Sequence, residues 1–253
     1  MYGKDLSMVM TTAAASFDLR PRKDWRSAFA AVRKLMRDAN DTAQVFRIMR
    51  ALNAGTAKRG YERLLQTERG GLIAYQRVEL AERFADPVFR NSFMPGSLGA
   101  AYADFLQETG YSAQGLADIS RQDDAGRDAM HPYAWFGRRT RDVHDIWHIL
   151  TGYRADEPAG EACLVAFSYA QTGGLGWAVI ALASAFKAGR TPGGKPAVRA
   201  IWEGYRHGKR AVWLLGEDYE ALLAEPLEAV RDRLCIRPPK AYQAFRESLP
   251  STV

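Results

Sequence analysis

Apolar residues return every three or four positions along almost the whole chain, while strand-like alternation and the Asn-Gly or Asp-Gly turns that join paired strands are missing. A period near 3.6 buries one side of a helix and cannot serve a strand, whose side chains alternate between faces. The chain is therefore expected to be all-α: a single multi-helix domain over residues 21–253, with a central buried helical layer and a short flexible segment, residues 1–20, ahead of it. At 253 residues it is long enough to bury its own core without disulfides or a partner subunit.

Trp25, Phe29, Val32 and Met36 form a first stripe, with Arg26, Arg33, Lys34 and Arg37 around the rest of the same helix. Val45, Phe46, Met49 and Leu52 form a second, stopped near Gly55. Further helices are expected over residues 72–84 and 100–109, joined by a long connection over 86–99 that holds Pro87, Pro95, Gly96 and Gly99. The polar stretch 110–137 reads as loop with short helical turns. Thr140 suits the N-cap of a helix over 141–151, which Gly152 ends. Residues 162–186 carry no charge and are long enough to cross a membrane. Gln171, Thr172, Gly173, Gly174 and Gly176 interrupt them, so a buried helical hairpin is expected instead. After a Pro- and Gly-rich break at 189–196, a long amphipathic helix carries Val198, Ile201, Trp202, Tyr205, Val212 and Trp213. A short one follows Pro226 and runs to Leu234.

Charge narrows the class of partner. The chain is basic, net +6, but residues 1–60 hold twelve Lys and Arg against five Asp and Glu, and the remainder is nearly balanced. A basic excess confined to one quarter is a poor nucleic-acid footprint, so no nucleic-acid partner is expected. The basic helix near Trp25 instead suits an anionic membrane surface, or simply a solvated outer face. Cys163 and Cys235 lie far apart in apolar segments, which excludes a disulfide framework or a cysteine-ligated zinc site. The N-terminal residues lack a strongly apolar run, so an intracellular, reducing location is expected.

Chemistry concentrates at residues 144–148, His-Asp-Ile-Trp-His, which hold two of the four histidines. Positions four apart share a helix face, the separation a metal requires of two imidazoles. Val143, Trp147 and Leu150 form the core stripe, so His144, His148 and Asp145 look into a second buried layer or a cleft, a metal site at the edge of the domain. Glu161, the last charge before the uncharged stretch, is the best further ligand, because the turn through Gly152, Asp156 and Pro158 can return it toward His148. Two imidazoles with carboxylates suit zinc first, and also iron(II), manganese or cobalt, better than calcium or magnesium. A zinc protease would need Glu, not Asp, after the first histidine. A di-iron bundle would need a second carboxylate-x-x-His; Asp128 and His131 supply the letters, but Pro132 takes His131 out of helical geometry. A phosphohydrolase would need more His and Asp than the chain has.

The segment 144–153, His-Asp-Ile-Trp-His-Ile-Leu-Thr-Gly-Tyr, followed by Gly160-Glu161 and an apolar run, resembles the coenzyme Q biosynthesis protein 4 family. The resemblance runs from about Ala30 to Pro238. It implies a helical protein of the ubiquinone pathway with a metal held by His144, Asp145, His148 and Glu161. It also implies action on carbon one of a polyprenylated 4-hydroxybenzoate, by simple or oxidative decarboxylation. Asp145 and His148 are then the catalytic residues, Asp145 as ligand or proton shuttle. The family places eleven residues between the second His and the Glu; here twelve intervene. The implied location is the cytoplasmic face of a bacterial inner membrane or the mitochondrial matrix side. Implied partners are the polyprenylated quinone precursor, a peripheral membrane surface and other ubiquinone-biosynthesis proteins, with a homodimer compatible. A non-catalytic lipid-binding scaffold for those proteins is the alternative.

Substrate contacts are expected from Arg138, Arg139 and Arg141, which could hold a carboxylate, and from Tyr153, Phe167 and Trp177. Leu164, Tyr169, Leu175 and Ile180 join the latter as candidates for an isoprenoid channel, though ordinary core packing explains each of them as well.

Overall fold

Among the residues that the computed structural model describes, 23–38, 41–110 and 131–249, every regular element is a helix. The expected flexible segment 1–20 and Asp128 lie outside those residues, as does most of the stretch read as loop over 110–137. The chain runs through α1 (Trp25–Arg37), α2 (Thr42–Leu52), α3 (Thr56–Leu64), α4 (Gly70–Gln76), α5 (Leu80–Ala85), α6 (Pro87–Arg90) and α7 (Leu98–Thr109). It continues with α8 (Pro132–Thr151), α9 (Pro158–Thr172), α10 (Leu175–Gly189) and α11 (Lys195–Arg210). A 3-10 turn (Leu214–Gly216), α12 (Tyr219–Leu222), α13 (Leu227–Arg233) and α14 (Lys240–Glu247) complete it.

The central layer is α8. It packs against α3, α5, α7, α9 and α13 and buries Trp135, Phe136, Val143, Ile146, Trp147 and Leu150. Its start corrects the N-cap expected at Thr140. Pro132 occupies the first turn, where its missing N–H costs nothing, and His131 caps the helix by accepting the Tyr133 amide at 3.2 Å. The Thr140 hydroxyl donates back to the Phe136 carbonyl at 2.8 Å, a satisfied position inside a helix. At the other end Gly152 turns left-handed, φ 75°, and Arg231 of α13 donates to the carbonyls of Ile149 (2.6 Å) and Leu150 (3.0 Å). Those are carbonyls that a helix end leaves without intrahelical partners.

The uncharged stretch forms the hairpin of α9 and α10, broken at Gly173 and Gly174. No described helix is long and apolar enough to cross a membrane. α9 lies closely on α11 because Gly204 lets the backbones meet: a Cβ there would stand 2.4 Å from the Cys163 carbonyl oxygen. The helix expected to carry Val212 and Trp213 ends at Arg210, and Ala211 is extended. Trp213 turns back instead, its indole donating to the Gln171 carbonyl at 3.0 Å. The helix expected over 72–84 is likewise two, interrupted at Arg77, φ 48°, and the 86–99 connection contains the single turn α6. Between α1, α2, α3, α8, α9, α10 and α11 lies a cavity of about 1390 Å³, walled largely by apolar side chains such as Leu35, Val45, Phe46, Met49, Val165 and Ile180.

Candidate metal centre

Helical spacing alone puts His144 and His148 one turn apart on α8, and their rings meet edge to face with centroids 5.2 Å apart. Each ring is held from outside the helix. Trp177 of α10 stacks on His144 at 5.2 Å, and Phe105 of α7 stacks on His148 at 6.1 Å. The Tyr153 carbonyl lies 2.8 Å from His148 Nδ1. A carbonyl only accepts, so Nδ1 carries a proton, which leaves Nε2, the nitrogen that faces Glu161, as the one able to ligate a metal.

Glu161 arrives from the first turn of α9. The turn is tight: a Cβ on Gly160 would fall 2.1 Å from the Arg154 carbonyl oxygen and 2.8 Å from the Tyr242 hydroxyl. Only glycine lets α9 start this close to the loop before it. That loop is pinned by Glu157, which accepts from Tyr242 (2.6 Å) and Arg246 (2.9 Å). Glu161 Oε1 consequently stands 3.2 Å from His148 Nε2, and Oε2 stands 3.9 Å from His144 Nε2. The extra residue between His148 and the glutamate is absorbed before α9 and does not carry Glu161 away.

His144, His148 and Glu161 each offer a ligand atom within 4.8 Å of the others, the one such group among the described residues. Donors about 2.1 Å from a shared cation in tetrahedral geometry lie roughly 3.4 Å apart, so side-chain shifts on the order of 1 Å close the set. His144 turns Nε2 toward Glu161, while its Nδ1 is buried with no hydrogen-bond partner. The donors therefore fit a divalent cation of the zinc class, two nitrogens and a carboxylate with room for further ligands on the cavity side.

Asp145, expected as a fourth ligand, is not in the converging set. It is buried and lines the cavity beside His144, where burial raises its carboxyl pKa to about 6 against the opposing pull of the two histidines. Its charge and that of Asp142 also press the buried Tyr102 hydroxyl upward, after desolvation as the main cause. Burial acts against the charged form of His148, and the neighbouring Glu161 carboxylate outweighs it to raise that pKa. The Glu161 carboxyl, penalised by burial, is still held far below its usual range by the two imidazoles.

The residues named for substrate contact separate. Arg141 and Trp177 line the cavity. Arg138 turns away to grip Glu79, with Nη2 to Oε1 at 2.7 Å. Arg139 is buried in the core and donates to the Glu217 carbonyl at 2.7 Å. Tyr153 and Phe167 are core residues, Phe167 packed edge to face on Trp147 at 5.9 Å. Tyr169 stacks on Tyr205, whereas Ile180 does face the cavity. The sequence reading missed Phe105, whose place beside His148 depends on how α7 crosses α8. It also missed the cavity walls supplied by α1 to α3, whose apolar stripes look like any core-facing helix.

The model of coenzyme Q (ubiquinone) biosynthesis protein Coq4 matches residues 24–240. A mitochondrial ubiquinone biosynthesis protein coq4 from Pyrenophora tritici-repentis is 30% identical over 193 residues, covering 74% of this chain and 62% of the relative. A mitochondrial COQ4 homolog from Nematostella vectensis is 25% identical over 156 residues, 61% of this chain and 72% of that one. The chain thus spans under two thirds of the fungal relative. A solved chain from Nostoc punctiforme, described as a candidate ubiquinone biosynthesis protein, shares the fold with TM-score 0.60 at 19% identity, over 84% of this chain and 98% of its own. With a family match that takes in α1 to α13 and the entire His144, His148 and Glu161 cluster, the chain belongs to the Coq4 family.

Proposed function

We propose that the protein acts in ubiquinone biosynthesis and removes the ring carboxylate at carbon one of a polyprenylated 4-hydroxybenzoate, simply or with replacement by a hydroxyl. The observation that carries this reading is the opening of the His144, His148 and Glu161 cluster onto an apolar cavity of about 1390 Å³. A polar reacting head and a long isoprenoid tail need those two environments side by side.

His144, His148 and Glu161 would hold a divalent cation, which would supply Lewis acidity toward an oxygen on the ring. The chain's own groups do the remaining work. Leu35, Val45, Phe46, Met49 and Ile180 exclude water from the tail. Trp177 and Phe105 fix the planes of the two imidazoles, and the Tyr153 carbonyl fixes the proton of His148. Asp145, on the cavity wall beside His144, is the group placed to deliver a proton. Departure of carbon dioxide leaves an electron pair on carbon one, which one proton satisfies; the hydroxylating variant consumes one dioxygen and one water and releases hydrogen peroxide with the carbon dioxide, which balances the two-electron oxidation of carbon one.

The reading includes a matrix-side location in a mitochondrion, or its bacterial counterpart, the cytoplasmic face of the inner membrane; the relatives' names carry the word mitochondrial. Peripheral contact with an anionic membrane is supported by α1, where Trp25 and Phe29 are exposed beside Arg26, Arg33 and Arg37. Turnover of a prenylated 4-hydroxybenzoate by purified protein, followed by product mass, tests the reading. His148→Ala is expected to abolish it. Lipid extraction without turnover in the zinc- or iron-loaded wild type would instead establish the scaffold role, in which the cavity stores or presents the lipid to other pathway proteins.

A further inference from the structure

α10 is apolar on nearly every side, and its one charge is Lys187. The inner side, through Ala183, Ser184 and Ala188, lines the cavity. The outer side leaves Leu182 70% and Phe186 61% exposed, one turn apart, and Trp202 on the adjacent α11 is 60% exposed. A helix without a polar face is ordinarily covered, and the described residues leave this one open. At 15 residues it is too short to cross a bilayer, which takes about 20, so a bilayer would receive it lying flat.

Charge selects the covering surface. Between Glu161 and Glu217 the chain holds one acidic residue, Glu203, against seven Lys and Arg, all of them exposed on α10, α11 and the turn between. Glu203 is engaged by the Ala241 amide, which donates to it at 2.8 Å. Arg199 and Arg206 stand three residues before and four after Trp202, on the same side of α11, and Arg190 lies over the Phe186 ring at 5.2 Å. Apolar side chains set among cations match an anionic bilayer, whose acyl boundary takes the former and whose headgroups take the latter.

The same end of α10 opens into the molecule. Thr191, Pro192 and Gly193 of the turn are exposed and also line the cavity. Beside them Lys187 reaches across to the last turn of α1 and donates to the Met36 carbonyl at 3.1 Å. The cavity also meets the surface at Asp156 before α9, a negative rim that such a bilayer repels, and at Arg59 and Arg63 of α3. Those two are engaged by the Thr56 hydroxyl and the Trp213 ring. Resting on the reading of the cavity as a site for a prenylated lipid, we propose that α10 and α11 lie on an anionic bilayer through Leu182, Phe186 and Trp202, and that the turn between them is the entrance by which the substrate passes from that bilayer into the cavity.

The test measures two quantities on the full chain: partition onto phosphatidylcholine vesicles with or without phosphatidylglycerol, and transfer of a prenylated 4-hydroxybenzoate from them to the protein. Wild type is expected to prefer the anionic vesicles. Leu182→Asp with Phe186→Asp, and separately Arg199→Glu with Arg206→Glu, should each lower that partition at least about tenfold. Metal content, melting temperature and binding of a soluble short-chain analogue should stay unchanged. Thr191→Trp, which crowds the entrance, should slow transfer and leave partition alone. Partition that neither double variant alters, or a wild type that prefers neutral vesicles, overturns the membrane face. Dissociation of a dimer by the aspartates would assign the face to a second copy, and binding of an acidic protein in place of vesicles would assign it to a protein; either overturns the proposal. Transfer that Thr191→Trp does not slow overturns the entrance. Transfer by this route without turnover would keep the proposal and remove the decarboxylase reading, whereas turnover of vesicle-borne substrate at the wild-type rate in both double variants would do the reverse.

Discussion

At the scale of single residues, single hydrogen bonds between buried side chains join helices that lie far apart in the chain. Trp147 does this within the core: its indole donates to the Tyr219 hydroxyl at 2.6 Å, tying the central helix to α12. Tyr219→Phe leaves that buried donor without an acceptor and should cost about 1–3 kcal/mol of stability in urea unfolding, with metal content unaltered. The histidines, by contrast, turn Nε2 of each ring toward Glu161. Their pairing was legible in the sequence because four residues bring a helix back to the same face. Asp145 belongs to the same motif but sits 100° further round α8 than His144, where its charge is felt by Tyr102 of α7. Its role follows from that angle: Asp145→Asn is expected to retain the bound metal, measured by elemental analysis, while lowering kcat at least tenfold. Loss of the ion on that substitution would make Asp145 a ligand after all.

At the scale of elements, helix existence was legible and helix ends were not. Apolar stripes located α1, α2, α7 and the α9–α10 hairpin, because a stripe records which side is buried. The start of α8 escaped for a different reason. Thr140 is a strong capping residue by type, yet a threonine can equally bond back to a carbonyl four residues earlier, as it does to Phe136. The letters do not distinguish the two. The end of α11 escaped because Val212 and Trp213 continue its apolar spacing while answering to Gln171 and Leu234 instead. Backbone approach between elements is similarly silent in an apolar pattern. Gly204 marks it here, and Gly204→Ala, whose methyl would press on the Cys163 carbonyl, should cost roughly 1–3 kcal/mol. An unchanged melting curve would show that α9 and α11 can part without penalty.

At the scale of the whole molecule, α1 to α3, α8 to α11 and α14 line a cavity that reaches the donor cluster. No single-residue pattern encodes such a space, because the same leucines and methionines would serve a filled core. The all-α class was therefore readable from periodicity, and the cavity only from the way α1 to α3 are laid over α8 and α10. A site formed by α8 and α9 together exists only in the folded chain, so ligation should stabilise that state. Zinc at 100 times its Kd is expected to stabilise the folded chain by about 2.7 kcal/mol. For a chain of this size that raises the melting temperature by roughly 5–10 °C. A chelator should reverse it.

The most direct measurement is the metal content of tag-free protein after equilibration with zinc and removal of the excess. The convergence of His144, His148 and Glu161 predicts about one ion per chain in the wild type, and less than about one tenth of that in His148→Ala and Glu161→Ala, each still folded by circular dichroism. A wild type that retains no ion, or variants that retain as much as the wild type, would contradict the account.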